Sequence, residues 1–249
     1  MNGKFFLALI GAALTLASGV SAEEEVRLSQ TPLQTSAGRI RTEIFEPAAG
    51  ARRPAIVVLH GAGGTIFDGP EMRRVARHLA GAGNVVYVVH YFDATGTLFA
   101  RDAVMQENFE VWLRTVRESV AAVQDLRRDQ RPIGVYGYSL GAFLALAAAS
   151  DNPRIGAVVE HAGGVWNGKM ERLHHLPPVL MIHGRRDARV PFAQYAEPLL
   201  PVLRARARSV QTRFFAEETH VFTPVAMVEV RAAAAAFFRR YLAPGPVVR

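Results

Sequence analysis

Ile133-Gly134-Val135-Tyr136-Gly137-Tyr138-Ser139-Leu140-Gly141-Ala142-Phe143-Leu144-Ala145-Leu146-Ala147-Ala148-Ala149 is the stretch on which the reading turns. It opens as a short apolar run of strand type and closes as an alanine- and leucine-rich run of helix type. Between them Gly137-Tyr138-Ser139-Leu140-Gly141 matches G-x-S-x-G, the turn that lifts a nucleophilic serine clear of a sheet edge on its way from strand to helix. Such a turn is sharp, and a Cβ on either side would collide with the neighbouring strand and helix, which accounts for both glycines. The plainer reading is a small-residue turn with an N-capping serine.

Outward from this turn, apolar runs alternate with segments of helical spacing. Strands are predicted over residues 55–60, 85–91, 133–138, 156–161, 179–183 and 211–215, and helices over 71–80, 109–125, 140–149, 194–208 and 224–241. Nearly continuous apolar strands belong to parallel sheets covered on both faces, and the alternation predicts an α/β fold with a mostly parallel, doubly wound sheet. Val26–Gln30 and residues 38–45 read as an antiparallel start joined by a turn near Thr31-Pro32. In open α/β sheets functional groups gather at the carboxyl ends of the strands. The polar and glycine-rich segments here directly follow strands, so they share one rim: His60-Gly61-Ala62-Gly63-Gly64, Tyr91-Phe92-Asp93, Ser139 with its neighbours, and Gly184-Arg185-Arg186-Asp187.

A serine hydroxyl at neutral pH needs a base, and the base needs a third group to orient it. In this fold they follow in the order serine, acid, histidine. Asp187 and Glu160 are the acids available, and of the eight histidines only His220 lies beyond both. Asp187 is preferred because its loop follows a strand one helix-strand unit before His220; its plainer reading is a surface ion pair with the adjacent arginines. An oxyanion needs two backbone donors. Leu140 supplies one at a helix N-terminus, and Ala62, with Gly63 the next choice, supplies the other from the loop after the 55–60 strand. That loop lacks GKS, GKT and G-x-G-x-x-G, so a nucleotide site is not predicted. Tyr91, Trp166 and Phe222 follow strands or flank the expected triad and are candidates for substrate binding in an apolar acyl pocket, with core or rim packing as the alternative. His60, His90, His161 and His183 fall at strand ends and His174-His175 are adjacent, so no zinc spacing exists and neither metal nor cofactor is expected.

Composition bounds the rest. The chain has 249 residues, half of them hydrophobic, and no cysteine, which removes disulfides, a thiolate nucleophile and Cys-ligated zinc from consideration. The formal charge of +7 is carried almost entirely by arginine. Those arginines are scattered in pairs such as Arg73-Arg74 and Arg239-Arg240, without the aromatic-interleaved basic stripe of a single-strand binder, so no nucleic-acid partner is expected. Residues 1–22 have a basic start at Lys4, an apolar middle too short to span a bilayer, and Val20-Ser21-Ala22 before three glutamates. This pattern predicts a signal peptide cleaved after Ala22, no stable membrane span, and an exported protein, periplasmic or secreted, whose residues 23–249 make one domain. Nothing in the sequence specifies an oligomeric state.

With His60-Gly61-Ala62-Gly63-Gly64, Tyr91-Phe92-Asp93-Ala94-Thr95-Gly96-Thr97, Gly137-Tyr138-Ser139-Leu140-Gly141, Gly184-Arg185-Arg186-Asp187 followed by Val190-Pro191, and Thr219-His220-Val221-Phe222, the chain resembles the dienelactone hydrolase family from about residue 55 to 241. The resemblance implies a compact α/β-hydrolase fold without a cap domain, acting on a small-molecule ester or lactone without a cofactor. Two departures stand out. The dienelactone enzymes of the family carry cysteine at the turn where this chain has Ser139, and an acidic residue after the histidine where it has Gly61. Both move the expectation from dienelactone itself toward a general serine esterase. A peptidase or amidase with the same three residues, and a non-catalytic binding protein on the same fold, remain alternatives.

Overall fold

Residues 25–48, 53–128 and 130–243 of the computed structural model are described below; the expected leader and its cleavage point lie outside them. In chain order the elements are β1 (Val26–Gln30), β2 (Leu33–Thr35), β3 (Gly38–Ile40), β4 (Thr42–Pro47), β5 (Ala55–Leu59), α1 (Gly64–Phe67), α2 (Gly69–Gly81), β6 (Val85–Val89), α3 (Asp102–Arg127), β7 (Ile133–Tyr138), α4 (Leu140–Ala149), β8 (Ile155–His161), β9 (Val179–Gly184), α5 (Phe192–Arg206), β10 (Val210–Phe215) and α6 (Pro224–Leu242). Eight strands form one sheet in the order β1-β4-β6-β5-β7-β8-β9-β10. β1 and β4 run antiparallel to their neighbours, and every pairing from β6 to β10 is parallel.

The apolar runs explain the layering. All five residues of β5 are buried, with Val57 and Leu59 in one core and Ile56 and Val58 in the other, because successive side chains point to opposite faces. α3, α4 and α5 cover the first face through Trp112, Val116, Leu144 and Leu199, while α2 and α6 cover the second through Met72, Val75, Val230 and Phe238. α4 is apolar all round and buried in nine of its ten residues, as a helix pressed between layers must be. The connection after β5 runs over one face and that after β7 over the other, so the two loops part at the carboxyl edge and leave a crevice there. This is the α/β-hydrolase fold, and no cap domain is present among the described residues. No described helix is long and apolar enough to cross a membrane.

The N-terminal region departs from expectation. The segment 38–45 is broken at Arg41: β3 pairs with β2 in a separate two-stranded sheet, and only β4 continues to β1, with Leu28 opposite Phe45. The cause is remote in sequence. Asp93 accepts the Arg41 backbone N–H at 2.9 Å and grips its guanidinium at 2.9 and 2.7 Å, which bends the chain away from the sheet line. β6 also ends before Tyr91, whose segment Tyr91–Thr95 is a turn of 3₁₀ helix.

Candidate active site

β7 delivers Ser139 to the rim in a conformation that few L-residues adopt, with φ 52° and ψ −121°. Such backbone costs on the order of 1–3 kcal/mol and persists only where the surroundings impose it. Here they do. A Cβ on Gly137 would fall on the Gly141 carbonyl and lie 2.6 Å from Ala142 Cα, and one on Gly141 would lie 2.5 Å from the Leu59 carbonyl oxygen. The two glycines therefore let β7, α4 and the end of β5 close to backbone contact, and that closeness turns Ser139 outward.

His220 reaches Ser139 from the loop between β10 and α6. Its Nε2 lies 2.9 Å from Ser139 Oγ, and its Nδ1 lies 2.8 Å from Asp187 Oδ2. A carboxylate only accepts, so Nδ1–H donates to Asp187 and Nε2 is left to accept from the serine hydroxyl. The loop is fixed at several points: Tyr138 donates its hydroxyl to the His220 carbonyl at 3.1 Å, and Glu218 accepts both the N–H and the hydroxyl of Thr223, which caps α6. Asp187 follows β9, and its other oxygen, Oδ1, accepts the Arg189 and Val190 N–H groups at 2.9 and 2.8 Å. Burial alone would raise its pKa, but hydrogen bonds from His183, His220 and the Val190 N–H hold the carboxyl well below the usual carboxylate range. It is the ionised member of the group.

Beside the serine, the loop after β5 is held from below. His60 is buried, stacks on Tyr91 at 4.3 Å and bonds through Nδ1 to the Gly61 carbonyl at 2.8 Å; burial pushes it down to about 4. The Ala62 carbonyl accepts the Ala100 N–H at 2.8 Å, and Gly63 donates its N–H to Asp68 Oδ2 at 3.0 Å. The Gly61 and Ala62 carbonyls are thus both engaged within the protein. Leu140, the first residue of α4, has an N–H with no acceptor inside the helix. Ala62 and Leu140 both border a cavity of about 410 Å³ that also includes Ser139. The glycine after His60 has a physical reason too. A Cβ there would lie 2.7 Å from Asp68 Oδ2 and 3.0 Å from Ser139 Cβ, so Asp68 fills the space a side chain would need.

The expected pocket residues divide. Trp166 lines the cavity and stacks on Phe109 at 4.4 Å. Tyr91 does not: it is fully buried under the β5 loop and donates its hydroxyl to the His60 carbonyl, because the 3₁₀ turn points its ring into the core. Phe222 does not line this cavity either; it packs against His161 and borders a separate one beside Tyr138. Phe143, Met105, Tyr195 and Arg189 line the cavity and were not anticipated. Phe143 had left a signal, as the one aromatic in α4, a turn after Ser139; the others are brought in from α3, α5 and the Asp187 loop by the tertiary fold. Asp68 and His183 were also missed as neighbours of the site. His183, four residues before Asp187, places Nε2 2.8 Å from the Val190 carbonyl and 3.4 Å from Asp187 Oδ2.

Glu160, the competing acid, sits beneath the site and accepts the Gly163 N–H at 2.7 Å. Burial pushes its carboxyl up to about 7. It makes no bond to His220, whose Nδ1 partner is Asp187.

Known proteins share the fold that carries this site. The profile of the dienelactone hydrolase family matches residues 40–242. No curated protein matches the chain in sequence. Among solved structures, a putative dienelactone hydrolase from Klebsiella pneumoniae superposes with a TM-score of 0.71 at 17% identity, over 87% of this chain and 100% of that one. A dienelactone hydrolase from Anabaena variabilis gives 0.70 at 19% identity, over 87% and 99%. An esterase from Pyrococcus furiosus gives 0.68 at 16% identity, over 87% and 93%. At these identities the structural likeness speaks for the fold.

Proposed function

The chain belongs to the dienelactone hydrolase family, and from that premise we propose that it cleaves small carboxylic esters or lactones through an acyl-enzyme on Ser139. The observation that carries the reading is the unbroken line from Asp187 Oδ2 to His220 Nδ1 at 2.8 Å and from His220 Nε2 to Ser139 Oγ at 2.9 Å. Ser139 Oγ attacks the carbonyl carbon while His220 Nε2 takes its proton. The resulting oxyanion is received by the N–H groups of Leu140 and Ala62. Protonated His220 gives the proton to the leaving oxygen, the C–O bond breaks, and the alcohol departs. Water, deprotonated by His220, attacks the acyl-enzyme and releases the acid, which restores Ser139. Asp187 stays ionised and holds the imidazole in the tautomer this sequence requires.

The positive φ of Ser139 also favours chemistry over simple binding, since a binding protein gains nothing from that strain. Hydrolysis of p-nitrophenyl esters of graded chain length by the purified protein, beside Ser139→Ala, tests the reading. Turnover that vanishes in the variant is expected; turnover that persists refutes it. Ester turnover without anilide turnover separates an esterase from an amidase. The leader pattern over residues 1–22 supports export with cleavage after Ala22, and mass measurement of protein recovered from fractionated cells checks the new N-terminus.

A further inference from the structure

A second cavity, of about 670 Å³, is bordered by Tyr138, the residue before Ser139, and by Val221, the residue after His220. It opens between α2 and α6 and is walled by Phe67, Met72, Tyr138, Phe222 and Met227. Three aromatic rings and two thioethers make a wall suited to a flat apolar group. Toward α6 it is bounded by Glu71, which pairs with Arg231 at 2.6 Å and Arg74 at 3.0 Å. With those charges mutually satisfied, the cavity does not call for an anion.

Three observations tie this cavity to the reacting atoms. Its wall contains the neighbours of the catalytic residues in sequence, Tyr138 before Ser139 and Val221 and Phe222 after His220. His220 stands over Tyr138, their rings 5.4 Å apart, so the imidazole is on this side of the serine. Asp68 lines the cavity, and its carboxylate and Ser139 both crowd the Cβ position of Gly61. The smaller cavity, by contrast, is bordered by Leu140 and Ala62. A carbonyl whose oxygen faces those donors directs its acyl chain into that cavity. Its leaving oxygen must face His220 Nε2 to be protonated, and the substituent on that oxygen then continues over Tyr138.

From this arrangement we infer that the α2–α6 cavity is the alcohol subsite, and that the preferred substrates are esters of alcohols carrying an aromatic or comparably broad apolar body. The inference rests on the acyl-enzyme reading. The mouth residues Phe67 and Val221 are exposed, at 69% and 75%, and an aromatic leaving group would cover them. His161 packs edge-on against Phe222 at 4.7 Å and holds that ring in the wall.

The test compares ethyl acetate with benzyl acetate, which share an acyl group and differ in the alcohol. Benzyl acetate is expected to be favoured in kcat/KM by about tenfold or more, the scale of discrimination one apolar pocket provides. Met227→Trp, which fills the cavity from α6, should bring the benzyl-to-ethyl ratio of kcat/KM down to near one. Phe67→Ala, at an exposed position where folding is not at stake, should reduce it. Equal turnover of the two esters by the wild-type protein, or a preference untouched by both variants, overturns the assignment. Saturation-transfer NMR of benzyl alcohol with the Ser139→Ala protein reads the site without chemistry. Binding that Met227→Trp abolishes, in a protein inert toward every ester, would keep the aromatic site and sink the acyl-enzyme reading; no binding together with no ester preference sinks the subsite.

Discussion

Replacing Asp187 by asparagine exchanges one carboxylate oxygen for an NH₂ group and leaves the shape of the site in place. Oδ1 accepts two backbone N–H groups, from Arg189 and Val190, so the amide oxygen of an asparagine must take that position. Its NH₂ then replaces Oδ2 and faces His220 Nδ1 at 2.8 Å and His183 Nε2 at 3.4 Å. His220 Nδ1 can meet an NH₂ only by accepting, which moves the ring proton to Nε2. A protonated Nε2 cannot take the proton of Ser139. The fold survives while the base is in the wrong tautomer, and the expected loss in kcat is about 10⁴-fold, or about 5 kcal/mol of barrier. Glu160→Gln is the matched control, because Glu160 bonds to the Gly163 N–H and not to His220, and turnover should remain close to that of the wild type. Steady-state hydrolysis of p-nitrophenyl acetate by both variants, with circular dichroism to confirm folding, supplies the measurement. A loss below about 100-fold in Asp187→Asn, or an equal loss in Glu160→Gln, would refute the assignment of the acid.

Glu160 should be visible instead in stability. Burial pushes its carboxyl up to about 7 in the fold, against the ordinary 4.5 of the unfolded chain. In that window the native state holds a proton the unfolded chain has released, so this group's contribution falls as pH rises, by on the order of 3 kcal/mol in all. His60 and His161, which burial pushes down to about 4 and about 3, act oppositely, since the unfolded chain takes up their protons as pH falls below 6.5. Wild-type melting is therefore partly compensated, and the melting temperature of Glu160→Gln relative to wild type should climb between about pH 5 and 7; a constant difference counts against the buried carboxyl. Gly137→Ala puts a methyl on the Gly141 carbonyl and should cost about 3 kcal/mol or more, a drop in melting temperature of about 6–12 °C. An unchanged melt would mean that the turn is not as closely packed as described. Glu43→Gln breaks the buried contacts of Glu43 with Arg73 at 2.7 and 2.8 Å and with His90 at 2.8 Å. Because Arg73 is partly solvated, about 2 kcal/mol is expected, read in urea unfolding.

Much of this protein is legible in one dimension because its signals are local. The span of α4 follows from its composition, and β7 and β9 from unbroken apolar runs. Ser139 is announced by two glycines whose need is steric and short-range. Chain order admits both Asp187 and Glu160, and the place of Asp187 in a loop after a strand, one helix-strand unit before His220, favours it; in the structure His220 Nδ1 meets that carboxylate. Reading failed where a remote partner decides the backbone. Asp93 breaks the 38–45 segment at Arg41 across more than fifty residues of chain, and no local pattern carries that. Position after a strand puts Tyr91 and Phe222 beside Trp166 in one pocket, yet one backbone turn sends Tyr91 into the core, and Phe222 lies in the other core layer, lining the α2–α6 cavity instead.

The sequence by itself determined the layered α/β plan, the glycine-flanked turn at Ser139 and His220 as the histidine beyond both acids, since periodicity, glycine sterics and chain order are properties of neighbours along the chain; it left Asp187 and Glu160 for the structure to separate. Only the tertiary structure decided which side chains wall the two cavities, that Asp68 stands in the space beside Gly61, and that His183 and Glu160 lie under the acid. Those facts depend on the side chains of separate strands and helices converging at one rim, and convergence is set by the packing of the sheet and its two helical layers together.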